Sequence, residues 1–352
     1  MLFSRLLPAA ALVLLSGPSL ATEPDTIVVT AARTPLSLTE TGASVTVITR
    51  DDIERRQSRY VSDLLRSVPG FSVSRSGGVG TQTQLRVRGA EANHLLVLIN
   101  GVQANDPAGG DEARLELLST AGVERIEIVR GPQSASWGSE AVGGVVNIIT
   151  RRDVTAGGGS LRAESGSNDT LNVAGEVAGR IGDLALTLAA DRLDTDGSNV
   201  SRSGEERDGA DLSTLSLFAD YAPSGPFSAA LMLRHAASDS DFDPTDFAVT
   251  GLPVDGDLSG EAERNHAGID LRFGEAGARL GHRVTAGFLD TENRSFSAGA
   301  ETGVTLAERL QLGYQLDAAL GGDTISIGVD REDTDFEQRG PIGFGDPNQR
   351  QS

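Results

Sequence analysis

Two hydrophobic patterns divide the chain near residue 152. Before that point, apolar residues form short continuous runs, interrupted by one stretch with helical spacing; after it, apolar and polar residues alternate. Continuous apolar runs are typical of strands covered on both faces, whereas alternation is typical of strands with one buried face. The pattern therefore predicts an α/β domain over residues 22–152 and an antiparallel β region over residues 153–352.

The first region contains six predicted strands and a helical segment. Asp51 is a candidate N-cap, and Pro69-Gly70 ends the apolar helical pattern, which predicts one or two short helices. Asn100-Gly101 predicts a tight hairpin turn. The strands are predicted at 25–31, 44–50, 85–89, 94–101, 124–131 and 143–150.

The second region consists of alternating segments separated by short turns and long acidic loops. The long loops cover 194–211 and 238–265. Such segments, with turns and long loops in alternation, are typical of an outer-membrane β-barrel. A secreted soluble all-β protein would show similar strands, because alternation does not reveal which face meets lipid. The segments lie at 171–179, 184–192, 215–222, 227–235, 268–274, 282–290, 309–319 and 324–330.

The N-terminal residues 1–21 predict a cleaved signal peptide. Arg5 precedes an apolar run that is followed by "SGPS" and the small residues "SLA", which places cleavage near Ala21–Thr22. The run is shorter than the roughly 20 apolar residues that a membrane-spanning helix needs. We therefore expect the mature protein to cross the inner membrane.

Composition argues against several functions. The 30 basic and 50 acidic residues give a net charge of −20, which argues against a nucleic-acid partner. The chain has no Cys, and its four His lack metal-ligand spacing. The glycine-rich "GSEAVGGVV" lacks the Lys of a phosphate loop and leads into a strand, and the nucleophile motif G-x-S-x-G is absent. The sequence predicts no enzymatic activity.

Three longer segments carry a family resemblance. They are "SVTVITRDDIERRQSRYVSDLLRSVPGFSVSRSGG", "LRVRGAEANHLLVLINGV" and "VERIEIVRGPQSASWGSEAVGGVVNIITRR". In order and spacing they resemble the plug of TonB-dependent outer-membrane receptors, over nearly all of residues 25–152. The resemblance implies a plug inside a barrel of about 22 strands, in the outer membrane of a Gram-negative bacterium, with glycines that let plug strands turn tightly.

The segment "DTIVVTAAR" resembles the TonB box of this family. The resemblance implies that it is handed by strand addition to TonB, a periplasmic energy-coupling protein. The implied box residues are Asp25, Thr26, Ile27, Val28, Val29, Thr30 and Ala31.

Within the family, the short plug, the box and "NHLLVLINGV" are most similar to the receptors for cobalamin. That resemblance implies energised cobalamin uptake; a ferric siderophore or haem receptor is the alternative ligand class. A secreted binding or adhesion protein without transport is the alternative of a different kind. The resemblance places ligand contacts at Gln82, Gln84, Glu91, Gly109 and Gly110.

The same resemblance implies a calcium site in the acidic loops. Ca²⁺ binds six to eight oxygens, preferably from several converging carboxylates. An Asn and a Glu stand where aspartates are expected, and a solvated acidic loop without calcium is the alternative. The implied ligands are Asn199, Glu206, Asp208, Asp243 and Asp255.

The number of predicted strands is smaller than a closed receptor requires. About ten β segments follow the plug, whereas the family closes its barrel with about 22 strands. Unpaired strand edges are unfavourable in lipid. We therefore expect either an N-terminal fragment of a longer receptor or a truncated product.

Overall fold

The computed structural model describes residues 27–28, 36–37, 42–152, 157–201, 204, 206–274, 279–320, 323–340 and 350–351. The predicted signal peptide, 1–21, lies outside them. The described residues form an α/β plug followed by a large antiparallel sheet, which confirms the predicted fold class of a plug joined to part of a barrel.

The plug is built around a mixed five-stranded sheet. Its elements are β1 (Ile27–Val28), β2 (Leu36–Ser37), β3 (Ser44–Thr49), α1 (Arg50–Arg56), α2 (Val61–Leu65), β4 (Phe71–Arg75), β5 (Thr83–Val87), β6 (Leu95–Ile99), β7 (Val102–Gln103), β8 (Asn105–Asp106), β9 (Glu112–Ala113), β10 (Val123–Arg130), α3 (Ser134–Trp137) and β11 (Gly144–Thr150). The central sheet has the order β3-β10-β11-β6-β7, and β1-β2, β4-β5 and β8-β9 form separate pairs.

The plug core lies between this sheet and α2. Leu64 and Leu65 of α2 pack with Ile126, Ile128 and Val146 of the central strands, and all five side chains are fully buried. Removing large apolar side chains from water is the main favourable contribution to such a core. None of the helices in the described part of the chain has the length and apolar character of a membrane-spanning helix.

The two predicted short helices are present, but the predicted N-cap is wrong. Thr49, not Asp51, caps α1: its hydroxyl accepts from the Asp52 backbone N–H at 3.3 Å, and the Asp52 carboxylate accepts from the Thr49 N–H at 3.1 Å. This reciprocal pair is a capping box, and Asp51 lies in the first turn. The strand β4 was not predicted, because "FSVSR" follows directly on the Pro-Gly that ends the helical pattern.

The predicted Asn100-Gly101 turn is confirmed. It joins β6 to β7, and both residues have positive φ, 52° and 87°. A two-residue hairpin turn of this type needs positive φ at both central positions, which Asn and Gly tolerate best.

The remaining strands form one meandering sheet in sequential order. They are β12 (Gly158–Ser165), β13 (Leu171–Ile181), β14 (Leu184–Ser198), β15 (Asp208–Tyr221), β16 (Phe227–Phe242), β17 (Leu258–Phe273), β18 (Leu280–Ser297), β19 (Ala300–Leu320), β20 (Asp323–Arg339) and the two-residue β21 (Arg350–Gln351). Each pairs antiparallel with the next.

Most of these strands are longer than predicted, so the two long loops are shorter. The loop between β14 and β15 covers 199–207, and the loop between β16 and β17 covers 243–257. Sequence periodicity missed the distal strand ends because polar residues occupy both of their faces there. Backbone pairing continues regardless, as the register of β16 with β17 shows up to Phe242 opposite Leu258.

The two faces of the sheet differ in side-chain size. Along β14, the inward residues Ala185 and Ala189 are small and buried against the plug, whereas the outward Leu188 is 44% exposed. The outer face carries a belt of large apolar side chains. They include Leu171, Val177, Leu215, Leu233, Ile269, Phe288, Leu310, Leu312, Ile327 and Val329.

Candidate ligand face and cation cluster

One face of β5 presents a polar network that contains two predicted ligand residues. Residues 82, 84 and 86 recur at the two-residue period of a strand and share this face, opposite the buried Leu85. The side-chain amides of Gln82 and Gln84 both donate to Glu112 Oε2, at 3.3 and 2.6 Å. Glu112 therefore fixes both amides.

Arg86 extends this network to the third predicted residue. Its guanidinium donates to Gln84 Oε1 at 3.0 Å and lies 3.8 Å from the carboxylate of Glu91, which is largely exposed. We call Gln82, Gln84, Arg86, Glu91 and Glu112 the polar face. Sequence reasoning missed Arg86, which the strand period would have indicated, and Glu112, for which no local signal exists.

The other two predicted ligand residues lie in the loop of residues 105–113, here called the apical loop. Pro107–Gly109 form a single 3₁₀ turn that Asp106 caps, accepting from the Ala108 N–H at 2.9 Å. Gly109 lies against the Asp106 carboxylate, where an added Cβ would come within 2.8 Å of Oδ2. Gly109 and Gly110 thus lie in the same loop that supplies Glu112 to the polar face.

Three of the five predicted calcium ligands converge. Carboxylate oxygens of Glu206, Asp243 and Asp255 lie within 4.8 Å of one another, and we call these three residues the acidic cluster. Asp243 is held by backbone N–H groups from both loops, Ser201 at 2.8 Å and Gly256 at 3.1 Å. The cluster therefore links loop 199–207 to loop 243–257.

The other two predicted calcium ligands flank this cluster. The Asn199 amide lies 3.5 Å from Asp255 Oδ1. Asp208 is 2% exposed and accepts from the Val200 N–H at 2.8 Å, but its Oδ1 has no hydrogen-bond partner among the described residues. A buried carboxylate oxygen without a partner is unfavourable, so this atom is available to a further ligand.

Burial and the surrounding carboxylates together raise the pKa of Glu206. Desolvation is the largest cause, followed by the negative charges of Asp255, Asp243 and Asp208. Both effects penalise the ionised form. The cluster is therefore unfavourable when fully ionised unless positive charge is nearby.

The buried carboxylate of Glu176 connects the plug to the first strands of the large sheet. Glu176 of β13 forms ion pairs with Arg50 and with Arg151, the latter at 3.2 Å, and accepts from the Gly122 N–H at 3.1 Å. Arg50 begins α1 and Arg151 follows the last plug strand. Glu176 thus connects the start and the end of the plug to the sheet of β12–β21, which we call the wall.

The predicted TonB box is described only in part. Ile27–Val28 forms β1, which pairs antiparallel with Leu36–Ser37. Asp25, Thr26, Val29, Thr30 and Ala31 lie outside the described residues.

Comparison with known proteins assigns the plug. Residues 37–145 match the family described as TonB-dependent Receptor Plug Domain. This family consists of transport receptors.

Solved structures of similar fold cover both parts of the chain. The chain is similar to FpvA of Pseudomonas aeruginosa, bound to heterologous pyoverdines, with a TM-score of 0.74 and 16% identity. It is also similar to BauA, the ferric preacinetobactin receptor of Acinetobacter baumannii (TM-score 0.69, 16% identity), and to the siderophore receptor PiuA of the same species (TM-score 0.66, 17% identity). At these identities the likeness establishes the fold.

The chain spans about half the length of these receptors. The matches cover 92%, 92% and 86% of this chain but 46%, 52% and 47% of the three neighbours, in the same order. The chain therefore has the fold of the plug and the adjoining wall strands of a TonB-dependent outer-membrane receptor. Proteins with this plug are located in the outer membrane of Gram-negative bacteria. An outward apolar belt such as the one on this sheet is typical of the lipid-facing side of their barrels.

Proposed function

We propose that this protein is a TonB-dependent receptor that takes up a small ligand across the outer membrane. The observation that carries the proposal is a folded plug that packs on the inner face of the wall sheet and matches a receptor plug family over residues 37–145. A pore filled by such a plug needs an external source of work to open. We infer that TonB supplies it.

The polar face and the apical loop are the parts of the plug that we assign to ligand binding. Gln82, Gln84 and Arg86 offer amide and guanidinium donors, while Glu91 and Glu112 offer acceptors. In the proposed cycle, ligand binds there from outside, the segment Asp25–Ala31 becomes available in the periplasm, and TonB pairs with it as an added strand. Force on this segment then moves the plug.

Uptake is expected to fail when the box cannot pair as a strand. Ile27→Pro removes a backbone donor and should abolish accumulation of ligand in cells, while ligand binding to isolated outer membranes stays unchanged. Ile27→Val preserves strand pairing and serves as the matched control. Radiolabelled uptake and binding are measured on the same cells, and uptake that survives Ile27→Pro would contradict the transport proposal.

Cobalamin is the first ligand that we propose. Two features support it: the plug motifs resemble those of cobalamin receptors, and the acidic cluster lies where that resemblance implies a calcium site. A ferric siderophore is the second candidate. The neighbouring structures support it, since they are FpvA bound to pyoverdines, the siderophore receptor PiuA and the ferric preacinetobactin receptor BauA. Binding of cyanocobalamin and of a ferric siderophore panel to the same membranes distinguishes the two.

We further propose that the acidic cluster binds Ca²⁺. Glu206, Asp243 and Asp255 have carboxylate oxygens within 4.8 Å of one another, and the flanking Asp208 and Asn199 would each add an oxygen. The unpartnered Asp208 Oδ1 supports this choice, because calcium prefers hard oxygen ligands and would satisfy that atom. Bound calcium would offset the negative charges of the neighbouring carboxylates, which add to burial in raising the pKa of Glu206.

Calcium affinity is expected to depend on the acidic cluster and to decrease as the pH is lowered. Glu206→Gln or Asp243→Asn should each weaken calcium binding about tenfold or more, because each removes a charged ligand. Since the pKa of Glu206 is raised, the folded loops hold its proton more tightly than the unfolded chain does. Lowering pH through that raised pKa should therefore displace calcium, and calorimetric titrations from neutral to acidic pH check this.

Asp246→Asn is the matched control for these variants. Asp246 lies in the same loop but accepts from its own turn, at 3.1 Å from the Ala248 N–H, and is not part of the cluster. Equal calcium affinity in Asp243→Asn and in the unchanged protein would rule out this site. Cyanocobalamin affinity that is the same with calcium and with chelator would remove the link between calcium and the ligand.

A further inference from the structure

Two arginines of the wall hold the apical loop of the plug from outside. Arg264 of β17 is 5% exposed, and its Nη2 donates to Asp106 Oδ2 at 2.5 Å. Arg309 of β19 is 2% exposed; it donates to the Asn105 carbonyl at 3.0 Å and pairs with the Asp111 carboxylate. The two arginines therefore bind the beginning and the end of the same loop.

Arg264 is itself fixed by the wall. Its Nη1 donates to the carbonyls of Glu263 and Glu292, at 2.7 and 3.0 Å, and its Nη2 donates to Asn293 Oδ1 at 2.5 Å. Asn293 also donates to Asp106 Oδ2 at 3.2 Å. The guanidinium has little freedom once these bonds form, so it presents a fixed point to Asp106.

Asp106 passes this constraint to the tip of the loop. Its Oδ2 faces Arg264, and its Oδ1 accepts from the Ala108 N–H, which begins the 3₁₀ turn Pro107–Gly109. Asp106 is 1% exposed, so its carboxylate is buried and depends on these partners. The orientation of the tip follows from the position of a wall residue.

Arg309 fixes the returning strand in the same way. Asp111 has a left-handed backbone, with φ of 62°, and its carboxylate is held by Arg309. The next residue, Glu112, orients the amides of Gln82 and Gln84. The ion pair of Arg309 with Asp111 thus fixes the residue that directly precedes Glu112, and so fixes the position of Glu112 in the polar face.

A third wall contact adjoins these two. Gln311 of β19 exchanges hydrogen bonds with Gln103, donating to Gln103 Oε1 at 2.9 Å and accepting from the Gln103 N–H at 3.3 Å. The segment from Gln103 to Asp111 is therefore attached to β17, β18 and β19 through four of its residues, which are Gln103, Asn105, Asp106 and Asp111.

From these contacts we propose that Arg264 and Arg309 are positioning residues, which hold the apical loop and the polar face in the one arrangement that binds ligand without touching the ligand themselves. The proposal rests on the ligand-binding role assigned to these surfaces above. It predicts that ligand recognition depends on strands β17 and β19, although neither contributes a side chain to the polar face.

The test uses hydrogen exchange and ligand binding on the intact protein in outer membranes. Arg264→Met is expected to raise amide exchange across residues 105–113 about tenfold or more, because a charged hydrogen bond is lost at a buried carboxylate. Exchange in β10 should stay unchanged. Ligand affinity, measured with cyanocobalamin and a ferric siderophore panel, should fall by a similar factor. The thermal unfolding temperature of the sheet should stay unchanged, which shows that the variant is folded.

Two further variants separate positioning from folding. Asp106→Asn keeps the shape of the side chain and removes only its charge, so it tests the same pair if Arg264→Met does not assemble. Arg272→Met is the matched control, since Arg272 lies on the same strand and pairs with Asp270 of that strand. It should leave exchange in the apical loop and ligand affinity unchanged.

Each outcome decides the inference. Unchanged exchange at 105–113 in both Arg264→Met and Asp106→Asn would overturn it. Increased exchange with unchanged ligand affinity would also overturn it, because the loop would be held without consequence for ligand. If the unchanged protein binds neither ligand class, the proposed function fails on its own, and the exchange measurement still decides whether the wall holds the loop.

Discussion

Glu176→Gln is expected to loosen the attachment of the plug to the wall and to lower the stability of the protein. The change leaves Arg50 and Arg151 without their shared carboxylate and weakens the acceptor of the Gly122 N–H. The carboxylate is nearly fully buried and the two arginines are mostly buried. Removing one partner from such a pair typically costs about 3–5 kcal/mol.

Trp137, the single tryptophan of the chain, lies in the plug and reports this effect. Urea unfolding followed by its fluorescence should give a lower midpoint in Glu176→Gln with an unchanged slope. Asp333→Asn is the matched control, because its pair with Arg331 is exposed on the wall and should contribute little. A midpoint equal to that of the control would mean that Glu176 does not anchor the plug.

A methyl group added at Gly287 is expected to force the plug away from the wall. Gly287 of β18 and its cross-strand partner Gly268 of β17 form a notch that receives Val102 of the plug. A Cβ at Gly287 would come within 3.0 Å of Val102 Cγ1, and one at Gly268 would lie 2.8 Å from Cγ2. Overpacking of this kind costs roughly 1–3 kcal/mol, so Gly287→Ala should lower the urea midpoint.

A second substitution in the plug should reverse this effect. In Gly287→Ala with Val102→Ala, the nearest remaining atoms are Gln311 Oε1 at 3.4 Å and Cβ of residue 102 at 3.6 Å, which are ordinary contacts. The double variant is expected to recover part of the lost stability, giving a favourable coupling energy. Gly179→Ala is the matched control, since no described atom lies within 4 Å of an added Cβ there. Additive effects of the two changes would show that Val102 does not fill the notch.

The local elements of the plug follow largely from the sequence. Continuous apolar runs indicate β6 and β11 because strands covered on both faces need apolar residues at every position. Asn100-Gly101 fixes its turn because few residues tolerate positive φ. The N-cap was misplaced by two residues because Thr49 and Asp51 both suit that role, and only the actual hydrogen bonds distinguish them.

The candidate sites depend on long-range geometry to different degrees. Gln82, Gln84 and Glu91 were expected from a family resemblance, yet their common partners Glu112 and Arg86 were not. Glu112 reaches the polar face only because the apical loop folds back beside β5. Similarly, Asp243 meets Glu206 because the pairing of β15 with β16 places two loops side by side.

The sequence by itself determined the period of every long wall strand, since backbone geometry sends alternate side chains to opposite faces whatever surrounds them. It did not determine which face of the sheet points outward or which residues hold the plug. Those were decided by the tertiary structure, in which small residues such as Ala189 and Gly287 face the plug and leucines face outward. Arg264 meets Asp106 across 158 residues of chain, and only the packed plug brings these two charges together.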